Sequence, residues 1–148
     1  MNLSKNVKID QILGYFAAGQ TERASAILDM SGYEGVLFVA SFGEILEAGT
    51  IDVFADGDDE NGAGSMAELA GTAAYTVTEA AAVLTYSCIV LDVYKPLERY
   101  IRCNINPATS DAEILGITAI RYKGKMGPEA MTTPYPLKAT MLISPDEE

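Results

Sequence analysis

The stretch "DVYKPLERYIRC", residues 92–103, crowds two tyrosines, three basic residues, two acids and a proline between two apolar runs. Tyrosine and arginine are the side chains that dominate binding hot spots, because each joins a large contact area to directional hydrogen bonding. No nucleophile stands beside a base here, so the stretch reads as a binding surface rather than a catalytic one. Alternation places Tyr94, Tyr100 and Arg102 on one face of a strand pair. The "KPLE" segment then serves as a hairpin turn, and Asp92 lies across from Arg102. Tyr94, Arg99, Tyr100 and Arg102 are the candidate interface residues. A cross-strand ion pair on a half-wet face is the plain structural alternative, and such a pair contributes only about 0–1 kcal/mol.

Histidine is absent from the 148 residues. That removes Ser-His-Asp and Cys-His catalysis, HExxH zinc sites and imidazole acid–base chemistry together. Tryptophan is absent as well, so the aromatic-lined cleft usual in glycosidases lacks its main component. The expectation is that the protein is not an enzyme and needs no metal or cofactor. The acidic "DGDDENG" (56–62) has the carboxylate density of a calcium loop. The turn glycine and the glutamate at position twelve are missing from it, and it reads as a solvated hairpin tip. "GAGSMA" (62–67) matches G-x-G-x-x-A, but acidic residues precede it and no βαβ unit surrounds it, so dinucleotide binding is not expected. Cys88 and Cys103 sit inside apolar alternating runs and read as small buried hydrophobes in a reduced chain.

The elements that would position these residues are strands. "GVLFVASFG" (35–43) is an apolar run between glycines, buried on both sides or nearly so. "TIDVFAD" (50–56) turns Ile51, Val53 and Ala55 one way, and "YSCIVLDVY" (86–94) does the same with Ile89, Leu91 and Val93. "RYIRCNIN" (99–106) puts Ile101, Cys103 and Ile105 inward, with Tyr100, Arg102 and Asn104 outward. "ERASAILD" (22–29) turns Ala24, Ala26 and Leu28 to one side, and Gly116 is the bulge position of "EILGITAIRYKG" (113–124). Near the N-terminus Ile9, Ile12, Leu13 and Phe16 have helical spacing, but Gly14 and "AAG" weaken it and the segment reads as extended. "TVTEAAAVLTY" (76–86) is a loop with one helical turn. Strands recur roughly every ten to fifteen residues with Gly, Asp or Pro between them, which predicts an all-β antiparallel sandwich, jelly-roll-like, over residues 1–125. Residues 126–148 hold four of the six prolines and form an extended arm, with Tyr135 and Leu137 as further contact residues.

Hydrophobic residues make up 49% of the chain, enough for a core, and the net charge is −11. Such a surface repels phosphate backbones and anionic lipid, so neither nucleic acid nor membrane is an expected partner. No apolar run approaches the roughly 18 residues of a membrane span, and no secretory signal is evident.

Taken together, "AILDMSGYEGVLFVASFGEI", the acidic "DVFADGDDENG", "MAELAGTAA", "LDVYKPLERYIRCNI" and "LGITAIRYKGK" resemble a family of small tailed-bacteriophage and prophage proteins encoded among the head genes. The shared pattern is a D-x-x-G-Y-x-G-V turn and strand at Asp29, Gly32, Tyr33, Gly35 and Val36, an acidic hairpin, and P-x-x-R-Y-x-R at Pro96, Arg99, Tyr100 and Arg102. The resemblance spans about residues 26–125 and does not include the arm. It implies a capsid cement or decoration protein, a homotrimer or other homo-oligomer. Such a protein is made in the bacterial cytoplasm and carried on the capsid surface in contact with the major capsid protein. Two other readings stay open: a carbohydrate-binding sandwich, and a head–tail connector or tail component. A carboxylate-dependent hydrolase is the remaining enzymatic one.

Overall fold

The computed structural model describes residues 3–76 and 86–123. After one helical turn, α1 (Leu3–Asn6), the chain runs through ten strands. These are β1 (Val7–Leu13), β2 (Phe16–Gly19), β3 (Arg23–Ala24), β4 (Leu28–Asp29), β5 (Gly35–Ile45), β6 (Thr50–Asp58), β7 (Ala67–Thr76), β8 (Ser87–Tyr94), β9 (Tyr100–Ala108) and β10 (Ala112–Tyr122). The arm, with Tyr135 and Leu137, and the alanine-rich stretch 77–85 lie outside the described residues.

All pairings are antiparallel and form two sheets. In the front sheet the order is β1-β10-β5-β8, with β2 continuing β1 along the same edge of β10. In the back sheet it is β3-β9-β6-β7, with β4 continuing β3 along β9. Each broken edge counts as one position, so the two sheets read 1-8-3-6 and 2-7-4-5 in chain order. Apart from the β6–β7 hairpin, each connection between consecutive positions crosses from one sheet to the other. This is jelly-roll connectivity, and the expected all-β sandwich is the fold observed.

The core lies between the sheets, where alternation turns the apolar set of each strand inward. Val36, Phe38, Ala40 and Phe42 from β5 meet Ile51 and Val53 from β6 and Ile101, Cys103 and Ile105 from β9, all fully buried. The N-terminal segment is extended, as its glycine predicts. Gly116 sits at a register shift between β10 and β5 with φ +146°. A side chain there would strike the Leu13 carbonyl and the Gln11 amide.

Three local expectations are corrected. β8 and β9 do not form a hairpin: β8 pairs with β5 in the front sheet and β9 with β6 in the back sheet. "KPLE" is the arch between them. Lys95 takes a positive φ of 50° and its N–H donates to the Glu34 carbonyl beside the front sheet, while the Arg99 carbonyl accepts from Met30 N–H and continues the β4–β9 ladder of the back sheet. Ala24 and Ala26 are exposed and Ser25 is buried. The edge strand breaks there, and the Ser25 hydroxyl takes the Cys103 N–H in place of a backbone carbonyl. Asn104 points to the outer side of the back sheet as expected but is only 1% exposed, with neither side-chain polar atom partnered among the described residues.

Candidate protein-interaction face

Cross-strand partners point to the same side of a sheet, so the register defines the outer face of the front sheet row by row. Its first row is Val7, Tyr122, Gly35 and Tyr94; its second is Ile9, Ile120, Leu37 and Asp92. The third is Gln11, Thr118, Val39 and Val90, and the fourth is the small-residue step of Gly116, Ser41 and Cys88. Asp92 is the single charge among these positions. Val90 is 50% exposed, and Leu115, pushed out by the bulge beside Gly116, is 38% exposed. A sheet face normally shows polar residues to water, so a second apolar face marks a surface built for contact.

Local chemistry orders both ends of this face. The Tyr122 ring lies over Gly35, where a Cβ would collide with it, and its hydroxyl donates to Asp92 Oδ1 at 2.7 Å. Burial first, then the bond to anionic Asp92, pushes the Tyr122 phenol well above its usual value. Lys95 and Lys123 stand 5.3 and 5.4 Å from the Tyr94 ring centre. At the far end β5 carries an extra residue against β10, and the Glu113 carboxylate lies against Gly43. There Ala18, Gly43, Glu44, Tyr86 and Glu113 line an open cleft of about 300 Å³. Tyr15 donates to Glu113 Oε2 at 3.1 Å, and that hydrogen bond raises its phenol pKa.

The back sheet's outer face is polar by contrast. Its rows are Asp52 with Asn106, Phe54 with Asn104, Asp56 with Arg102, and Asp58 with Tyr100. The four candidate residues therefore do not form one cluster. Tyr94 belongs to the front face, whereas Tyr100 and Arg102 belong to the back. The expected partner of Arg102 is also replaced: its Nε and Nη2 both donate to Asp56 Oδ2, at 2.9 and 2.8 Å. Arg99 grips Asp29 with two hydrogen bonds of 3.0 and 2.9 Å and stacks over Tyr100 at 5.1 Å. The two short patterns that carried the family resemblance thus meet in space, Asp29 against Arg99 and Tyr100, and they clamp β4 to β9.

The apolar positions Ile9, Leu37, Val39, Val90 and Ile120 were not singled out from the sequence. The available signal was the unbroken apolar run of "GVLFVASFG", whose outward members Leu37 and Val39 are half-buried. The acidic loop is the β6–β7 hairpin tip, and "GAGSMA" lies in it. Two of its carboxylates accept from backbone, Asp58 from Glu60 N–H and Asp59 from Arg99 N–H, and Asp56 is held by the Arg102 side chain. Among the described residues no group of three His, Cys, Asp or Glu side chains is placed to hold a metal ion. Cys103 is buried, and desolvation pushes its thiol up to about 12, whereas Cys88 is exposed, contrary to the expectation that both are buried.

No family model matches the chain, and no curated protein matches it. Among solved structures, it is similar to the SPBc2 prophage-derived protein YomS, with a TM-score of 0.43 and 10% identity over 78% of this chain and 95% of that one. It is similar to dimeric latent PorU from Porphyromonas gingivalis, with a TM-score of 0.47 and 11% identity over 80% of this chain and 13% of that one. A third likeness is to a chain from the structure of infectious bursal disease virus Gt strain, with a TM-score of 0.41 and 10% identity over 86% of this chain and 34% of that one.

Proposed function

We propose that the protein is a phage virion structural protein of the cement or decoration kind, a homo-oligomer that stabilises the head by bridging neighbouring capsid subunits. The observation that carries this reading is the outer face of the front sheet: Ile9, Ile120, Leu37, Val39 and Val90 form an apolar stripe on the outside of an already filled sandwich. A jelly roll with a second apolar face suits a protein that is bound rather than one that reacts. The strongly acidic remainder of the surface keeps such a protein soluble before it docks. Many identical sites on a shell add avidity, so each contact can be weak. The resemblance to head-gene proteins points the same way. The chemistry is burial of apolar area at the subunit boundary, at roughly 25 cal/mol per Å² before the cost of association.

The test is quantitative mass spectrometry of purified particles from the source, with the copy number set against the major shell protein. Hundreds of copies per particle are expected. A number near a dozen would make the protein a connector or tail component, and none at all would overturn the virion reading.

A further inference from the structure

We infer that the far end of the front face, the cleft between Glu113, Glu44 and Tyr86, receives an arginine or lysine side chain of a different protein, whose neighbouring apolar side chains cover Leu115, Val39 and Val90. This rests on the assembly reading above and names the chemistry of the partner surface. Four acids elsewhere in the described structure have cations of their own: Asp10 with Arg121, Asp29 with Arg99, Asp56 with Arg102 and Glu34 with Lys123. Glu44 and Glu113, like most acids among the described residues, have no ion pair there, and they are the two that line the cleft. Glu113 uses Oε2 to accept from Tyr15 and lays Oε1 over Gly43, and the residue lines the cleft. Tyr86 is 88% exposed at the cleft wall and offers a ring face for a cation to stack on. Ala18 and Gly43 also line the cleft, and about 300 Å³ accommodates one long side chain. A second copy of this chain is a poor occupant, since it brings another net charge of −11 to two unmatched carboxylates. A partner with a basic side chain among apolar ones matches the cleft and the stripe together.

The experiment is a titration of the isotope-labelled full chain with the peptide acetyl-Leu-Arg-Leu-amide, followed by amide NMR. The citrulline analogue, which has the same shape and no charge, is the control. Saturable shifts centred on Gly43, Glu44, Tyr86, Glu113 and Leu115 are expected. The Glu44→Gln/Glu113→Gln variant should bind at least about fivefold more weakly, with an unchanged melting temperature. Glutamine retains an acceptor for Tyr15, and Glu44→Gln alone serves as a variant that leaves that bond untouched. Equal shifts with the citrulline peptide, shifts elsewhere, or no shifts overturn the inference. Concentration-dependent dimerisation that moves the same resonances without peptide overturns it in favour of a second copy. The two ideas fail separately. Particles that carry the double variant at wild-type copy number defeat the cleft and leave the virion reading. Absence from particles defeats the virion reading and leaves the peptide result standing.

Discussion

Arg102 and Asp56 hold each other across β9 and β6, with their side chains 19% and 9% exposed. Burial at that level makes the pair matter through what remains when one member is lost. Arg102→Ala strands the Asp56 carboxylate opposite Glu68, a like charge on the neighbouring strand. The variant should therefore lose about 2 kcal/mol in urea unfolding, less than a fully enclosed pair would, with assembly on particles unchanged because Arg102 is on the back face. Wild-type stability combined with failed assembly would show that the residue works at an interface instead. Asp29 is a pH-dependent counterpart. The hydrogen bond from Arg99, helped by Ser31 N–H, lowers its pKa from the ordinary 3.8. A lowered folded value means that its stabilisation is present above the unfolded pKa and is lost as pH falls through the folded one. Carboxyl-carbon NMR should give a midpoint below 3.8, moving back up in Arg99→Gln. An unmoved midpoint in that variant would contradict the clamp between β4 and β9.

At the scale of elements, alternation in β6, β8 and β9 was legible because a strand's period of two assigns faces without knowing its neighbours. Pairing was not legible, for a related reason. A proline-containing polar segment of five residues suits a hairpin turn and an arch between sheets equally well. What selects the arch is the Glu34 carbonyl bonded to Lys95 N–H, a contact sixty-one residues apart in sequence that no local pattern encodes. The split of the candidate cluster into front Tyr94 and back Tyr100 and Arg102 follows from that one undecided turn. The break at Ser25 was hidden likewise, since a hydroxyl replacing a ladder carbonyl leaves no periodic trace. Gly116 was legible as a bulge because glycine inside a strand signals unusual backbone. It gives the sharpest test of this element. Gly116→Ala must accept φ +146° and displace the Leu13 carbonyl and the Gln11 amide, which should cost about 2–3 kcal/mol in urea. Gly64→Ala, in an open loop with nothing within 4 Å, should change little. Equal effects at the two sites would contradict the backbone account.

At the scale of the whole molecule, one apolar outer face stands on a strongly acidic jelly roll, and in the proposed assembly that face is the contact with a shell. Composition made the acidic exterior and the sufficient core legible. It could not reveal the second apolar face, because the outward members of β5 and β10 look in sequence like additional core. Cys88 stands on this face and Cys103 in the core, so the chain carries its own reporter and its own internal control. Cys103, with its thiol raised to about 12, should stay unmodified in any folded state. The most direct measurement is therefore the rate of iodoacetamide modification at Cys88, read by mass spectrometry, in the free protein and in purified particles. Ready modification is expected in the free protein and a rate at least about a hundredfold lower on particles, as for a residue closed within a packed interface. Equal rates at Cys88 in both states, with Cys103 protected throughout, would contradict the proposed contact.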